Sequence, residues 1–219
     1  MFRKNFETEL KQLHQDLIEM GNYVSRAIKD SIRAYNKHDM ELCQEIIKND
    51  KIVNEMEKKI ESKCLWLIAR EQPIASDLRS ITTALKIITD MERIGDHAVD
   101  IAELAMDLPE NSTLTESTKI TEMANAAIRM VNNALSAYVN LDLEWAKSAE
   151  KEDDVVDEYF NDIKKEITEA FQQGEHNVDN ALDILLIAKY LERIADHAVN
   201  ICEWVMFSQT GEHRNTQIF

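Results

Sequence analysis

Apolar residues recur at three- and four-residue spacing through almost the whole chain, with charged residues filling the positions between. That period is the signature of an amphipathic helix, one face packed and one face wet. It predicts six long helices. The first runs from about Asn5 to Asn36 and is broken at His38-Asp39. Asp39 can cap the second, which continues to about Arg70. Pro73 marks the next turn, because proline cannot sit inside a helix but can open one. The third helix then reaches about Asp107, and Leu108 to Thr115, with Pro109, Asn111 and several hydroxyls, is the clearest linker. The fourth covers about Glu116 to Asn140. Asp142 caps a fifth that ends near Gln173-Gly174, and the sixth runs from near Asn177 to about Phe207. Gly211 to Phe219 is expected to fray. Short turns place successive helices antiparallel. The expected fold is therefore all-α, two tandem three-helix bundles at 1–108 and 116–208, with a linker at 109–115 and a flexible tail at 209–219.

The two halves share more than a period. Glu92-Arg93-Ile94-Gly95-Asp96-His97-Ala98-Val99-Asp100-Ile101-Ala102-Glu103 returns as Glu192-Arg193-Ile194-Ala195-Asp196-His197-Ala198-Val199-Asn200-Ile201-Cys202-Glu203. Packing rules alone can make apolar positions recur. Recurrence of Glu, Arg, Asp, His and Glu at fixed spacing needs a further reason, and a duplicated site supplies one. A second pair of segments extends the duplication. Asp50-Lys51-Ile52-Val53-Asn54-Glu55 lies on helix 2, and Asp153-Asp154-Val155-Val156-Asp157-Glu158 on helix 5.

Helix geometry joins the segments. In an antiparallel hairpin, residues equally far from the turn stand at the same height, because both helices rise equally per residue. With the first turn near Gln72, Asp50 matches about position 94 and Asn54 about position 90, heights that bracket Glu92 and Asp96. With the second turn between Gly174 and Glu175, Asp153 is level with Asp196 and Asp157 with Glu192. Each half thus assembles four oxygen donors: Asp50, Asn54, Glu92 and Asp96 in one, Asp153, Asp157, Glu192 and Asp196 in the other. Asp100, one turn further along, can join the first; its counterpart Asn200 is a weaker ligand.

Carboxylates that meet repel unless something positive compensates. A metal ion is one answer, and oxygen ligation suits Mg²⁺, Mn²⁺, Ca²⁺ or oxidised iron better than zinc or copper. Salt bridges from Arg93 and Arg193 are the other answer. A lone acidic pair on a helix is ordinarily a solvated face; duplication and matched heights set these apart. His97 and His197 do not complete a ferritin-like centre, which needs Glu-x-x-His. His97 lies about 140° around the helix from Glu92. A structural hydrogen bond to a neighbouring helix is the expected role of both histidines. Trp66, Trp145 and Trp204 are expected in the core or an interface, and Lys58-Lys59 and Lys164-Lys165 on solvated faces.

Composition narrows the function. Four Gly and two Pro among 219 residues fit long helices and leave no room for a glycine-rich phosphate loop. GxSxG and HExxH are absent as well. A net charge of −16 argues against nucleic-acid binding, whose phosphates it would repel, and suits a cation binder or a protein that docks on basic partners. Cys43, Cys64 and Cys202 form no CxxC motif and suggest no disulfide framework. No apolar stretch is long enough to span a bilayer, and Met1-Phe2-Arg3-Lys4 opens no signal peptide, so a cytoplasmic location is expected. Asn111-Ser112-Thr113 matches a glycosylation sequon by chance.

On these residues the chain resembles the PhoU family, the bacterial phosphate-uptake regulators. The resemblance covers nearly the whole chain: the turn Gln72-Pro73-Ile74-Ala75-Ser76-Asp77-Leu78-Arg79, both Glu-Arg-Ile-x-Asp-His-Ala-Val blocks, and the acidic segments of helices 2 and 5. Glu92-x-x-x-Asp96 and Glu192-x-x-x-Asp196 match the family's E(D)xxxD metal-binding motif. The resemblance implies metal ions or small clusters on the two bundles and repression of phosphate-starvation signalling when phosphate is plentiful. It also implies contact with the phosphate ABC transporter, through its ATPase, and with the phosphate-sensing histidine kinase. Asn54 and Asn200 depart from the pattern, each standing where the other half suggests a carboxylate.

The expectation is a cytoplasmic, homodimeric regulator without enzymatic activity, not inserted in the membrane. It would carry metal in each half, with iron, manganese, magnesium and zinc all open. A metal-dependent hydrolase or metal-storage protein, and a metal-free helical adaptor, are the competing readings.

Overall fold

A computed structural model describes residues 2–71, 73–109, 114, 119–174, 177–213 and 216–217. The expected linker at 109–115 lies outside the described residues apart from Pro109 and Leu114, as do Gln72, Glu175 and the end of the tail. Among the described residues six helices can be bounded: α1 (Phe2–Lys37), α2 (Met40–Glu71), α3 (Ala75–Asp107), α4 (Ile120–Asn140), α5 (Leu143–Gln172) and α6 (Val178–Thr210). None is long and apolar enough to cross a membrane.

The turns repeat as the motifs do. Helices α1 and α4 end on His38 and Leu141, both left-handed with φ of 49° and 53°. An aspartate follows each and caps the next helix. Asp39 Oδ1 accepts from the Leu42 N–H at 3.0 Å, and Asp142 Oδ1 from those of Glu144 and Trp145 at 3.1 and 3.2 Å. Such a side chain satisfies N–H groups that the helix leaves unpaired. At the start of α6, Asn177 Oδ1 accepts from the Asn180 N–H at 3.1 Å.

α1, α2 and α3 pack together, as do α4, α5 and α6. The bundles then join along α3–α6 and α1–α4, and one continuous core runs through both. On α1 the buried stripe includes Leu13, Leu17, Met20, Val24 and Ile28, all fully buried. Each such side chain stabilises by about 1.5–3 kcal/mol. α3 and α6 are buried on wider stripes, because each touches its own bundle and the other helix of the central pair. They run antiparallel: Thr83 Oγ1 donates to the Trp204 carbonyl at 3.3 Å and Arg79 Nε to that of Ser208 at 3.4 Å.

Two expectations are corrected. The tail does not fray from residue 209: α6 continues to Thr210, Gly211 turns left-handed at φ 78°, and Glu212–His213 pairs with Thr216–Gln217 in a short antiparallel ribbon. His213 stacks on Trp204 at 3.9 Å, which anchors the turn. Trp66 and Trp145, expected in the core or an interface, lie outside the core, being 38% and 46% exposed, and Arg70 lies over the Trp66 ring.

Candidate metal centres

The helix pairs bring the expected carboxylates onto facing turns. In the first half, Asp50 and Asn54 on α2 share a hydrogen bond, Asn54 Nδ2 donating to Asp50 Oδ2 at 2.8 Å. Burial raises the Asp50 carboxyl, and Asp96 on α3 raises it further. Glu92 is raised by burial and then by Asp96, with Glu57 and Asp50 adding to it. Glu57 belongs to the cluster although the duplication gives no sign of it. It stands on the same face of α2 as Asp50 and Asn54, two turns beyond Asp50, and its own carboxyl is raised by burial, Glu61 and Asp96. The other half has no matching carboxylate, since Phe160 follows Asp157 at that spacing.

In the second half, Asp153 on α5 is raised to about 6, first by burial, then by Asp196, Asp157, Asp154 and Glu192. Asp196 is raised by burial and by Glu192 and Asp157. All four expected residues of this half therefore act on one another electrostatically.

Cations meet some of these acids. Arg93 Nη1 donates to Asp96 Oδ2 at 3.0 Å, and its Nε stands 3.4 Å from Glu92 Oε2. In the second half Lys189, not Arg193, pairs with Glu192. Lys189 lies three residues before its partner on α6, a spacing at which helical side chains meet. Arg193 instead turns towards the first half, where it borders a polar pocket of about 460 Å³ with Arg93, Asp50, Asp96, Asp100 and Glu103.

Asp100 borders this pocket beside Asp50 and Asp96 but is engaged by His97, whose Nδ1 donates to Asp100 Oδ2 at 3.1 Å. Burial lowers His97 below the ordinary imidazole range, against the opposing pull of Asp100. Asn200 takes no place in the second set. It donates to Asp90 Oδ1 on α3 at 3.3 Å, and His197 Nδ1 stands 2.8 Å from the same oxygen. The two imidazoles lie 5.8 Å apart at the α3–α6 seam, and Tyr190 stacks on His97 at 5.3 Å. Both histidines thus make structural contacts, though only His197 bonds across to a neighbouring helix.

Among the described residues, no group of three or more His, Cys, Asp or Glu side chains converges closely enough, as placed, to hold a metal ion. The donors do fit a hard cation in kind. They are carboxylate oxygens on rigid helices, and their raised affinity for protons marks negative charge that Arg93 and Lys189 compensate only in part. As placed, Arg93 engages Glu92 and Asp96 and Lys189 engages Glu192, so a metal would compete with those two cations.

The PhoU domain model matches residues 17–105 and again 120–205. The chain is 39% identical over 213 residues to the phosphate-specific transport system accessory protein PhoU homolog of Clostridium acetobutylicum, covering 97% of each chain. It is 30% identical over 207 residues to the accessory protein PhoU of Escherichia coli K12, covering 94% of this chain and 86% of that one. Among solved structures, the phosphate transport system regulatory protein PhoU of Streptococcus pneumoniae superposes with a TM-score of 0.89 at 30% identity, covering 96% of this chain and 100% of that one. PhoU of Pseudomonas aeruginosa gives 0.85 at 31%, covering 94% and 100%. With a domain match in each half and near full-length relatives, the chain belongs to the PhoU family.

Proposed function

We propose that this chain is a regulator of phosphate uptake that works by docking rather than by catalysis. The observation that carries the reading is the match of both halves to the PhoU domain, with near full-length relatives named as accessory proteins of phosphate-specific transport. In this reading it docks on the ATPase of the phosphate ABC transporter and on the phosphate-sensing histidine kinase, at the cytoplasmic side, as a homodimer. Its charge of −16 complements basic surfaces on such partners. Metal held by Asp50, Asn54, Glu92, Asp96 and Asp100 in one half, and by Asp153, Asp157, Glu192 and Asp196 in the other, would neutralise each acidic face and stiffen the helix pair that presents it.

The test is elemental analysis of the untagged protein beside a variant with Glu92, Asp96, Glu192 and Asp196 changed to alanine. Stoichiometric metal, lost in the variant together with partner binding and repression, is the expected result. Metal-free protein whose binding and repression survive the four changes would sink the metal-dependent mechanism. A second reading, the metal-free adaptor, is favoured by the Arg93 and Lys189 pairs, and it predicts that outcome.

A further inference from the structure

A cavity of about 240 Å³ opens between α1, α2 and α3, apart from the facing carboxylates of the two acidic clusters except for a shared Asp50. Its floor is apolar: Leu42, Ile46, Val53 and Val99, closed on one side by the half-buried ring of Tyr23. Its mouth is acidic, with Asp30, Glu45 and Asp50 facing a single Arg26. Arg26 is taken up with Asp30 at 3.7 Å, and Arg33 reaches the same carboxylate at 3.2 Å. Among the described residues, no cation pairs with Glu45 or Asp50. Glu45, Asp50 and Arg26 line the cavity together with the Tyr23 ring.

Size and chemistry select the occupant. Pockets for drug-sized ligands are about 300–1,000 Å³, so this one suits a single side chain. An apolar floor below an anionic rim fits a group with a methylene stem and a cationic head. Arginine and lysine are the side chains of that form, burying the stem while the charge stays at the surface. An aromatic wall adds attraction for the cation, and paired carboxylates suit the guanidinium fork.

We propose that this cavity seats one arginine or lysine side chain presented by a partner protein. The proposal deepens the docking reading and rests on it for the partner, and it needs no metal. It gives the diffuse acidity of the chain a defined anchor, of the buried, central kind that dominates interface energies.

The probe is N-acetyl-arginine methylamide, titrated into the full-length ¹⁵N-labelled chain and followed by NMR, with the neutral citrulline analogue as control. Saturable shifts centred on Tyr23, Leu42, Ile46, Val53 and Val99 are expected, with citrulline about two- to fivefold weaker, the scale of one exposed charge pair. Glu45→Gln, an exposed change that leaves the fold intact, should weaken arginine about two- to fivefold. Leu42→Trp, which fills the cavity, should remove the shifts. Equal response to citrulline, shifts scattered over other acidic surfaces, or an unchanged titration in Glu45→Gln would each overturn the proposal. Failure here leaves the metal and repression measurements untouched, because the titration contains neither metal nor partner.

Discussion

His197 on α6 and Asp90 on α3 meet at 2.8 Å across the seam between the two bundles. The duplicated motif gives no hint of this, because the position equivalent to Asp90 in the second half is Tyr190, which stacks on His97 instead. Each imidazole is therefore held by the other bundle in a different way. Asp90 also accepts from Asn200, so one largely buried carboxylate secures two side chains of α6. Asp90→Ala is expected to cost about 1.5–3 kcal/mol, the range for hydrogen bonds to a charged group. A urea melt checks the loss. A double-mutant cycle with His197→Ala should return a coupling of about 1 kcal/mol, and a coupling near zero would show that the pair does not bind the bundles together.

Asp153 makes stability depend on pH in a known direction. Its carboxyl titrates near 6 in the folded chain against an ordinary value of 3.8. Between those values the unfolded chain has released the proton and the folded chain retains it. Stability therefore falls as pH rises through this window and levels off above about 6. Asp153→Asn removes that penalty. In metal-free buffer the variant should melt higher than the parent at pH 7.5 and equally at pH 3.5. A variant that melts lower at pH 7.5 would mean that the carboxylate is stabilised, not strained, by its surroundings.

The helices and their order were legible because one period runs through each segment and the breaks carry their own chemistry: Asp39 and Asp142 as caps, Asn177 at the start of α6. The acidic pairings could be read from equal rise on antiparallel helices, which is how Asp153 comes to face Asp196. Glu57 and Lys189 sit at helical spacing from their partners on their own helices, but neither has a counterpart in the other half, so the duplication carries no sign of them. What lies across the seam was not readable. A helix period gives the face that is buried, not which helix covers it, so Asp90 with His197 and the turn of Arg193 towards the first half had no signal. The ribbon after Gly211 has no sequence signal for a similar reason: a polar terminal segment reads as loose unless its docking partner, here Trp204, is known.

The α1–α4 seam rests on a close approach at Gly21. A Cβ there would lie 2.6 Å from both terminal carbons of Leu135, which is too near for any real contact. Ser25 and Asn132 hold the same seam one turn away, the hydroxyl donating to the amide oxygen at 2.8 Å. The helices cannot part at Gly21 without straining that bond. Gly21→Val should destabilise by about 1–3 kcal/mol through overpacking. Adding Leu135→Ala should recover part of the loss, since it clears the space the new side chain needs. Thermal melts of the single and double variants distinguish this from a helix-propensity effect, which Leu135→Ala would not reverse.

Tyr138 on α4 offers the opposite case, a buried polar group that the fold does not use. The residue is 6% exposed, and its hydroxyl has no hydrogen-bonding partner among the described residues. His14 meets the ring edge-on at 5.3 Å, and the nearby Cys64 thiol is pushed up to about 12 by burial, so both the thiol and the phenol stay neutral. The site is thus apolar in character, and the lone hydroxyl carries its desolvation cost without a compensating bond. Tyr138→Phe deletes one oxygen and keeps the ring that fills the space between the bundles. It should stabilise by about 1 kcal/mol, raising the melting temperature by roughly 2–4 °C for a domain of this size. Differential scanning calorimetry of the parent and the variant decides the matter. A lowered melting temperature would show that the hydroxyl is bonded in solution and that Tyr138 contributes a polar tie to the seam as well as its ring.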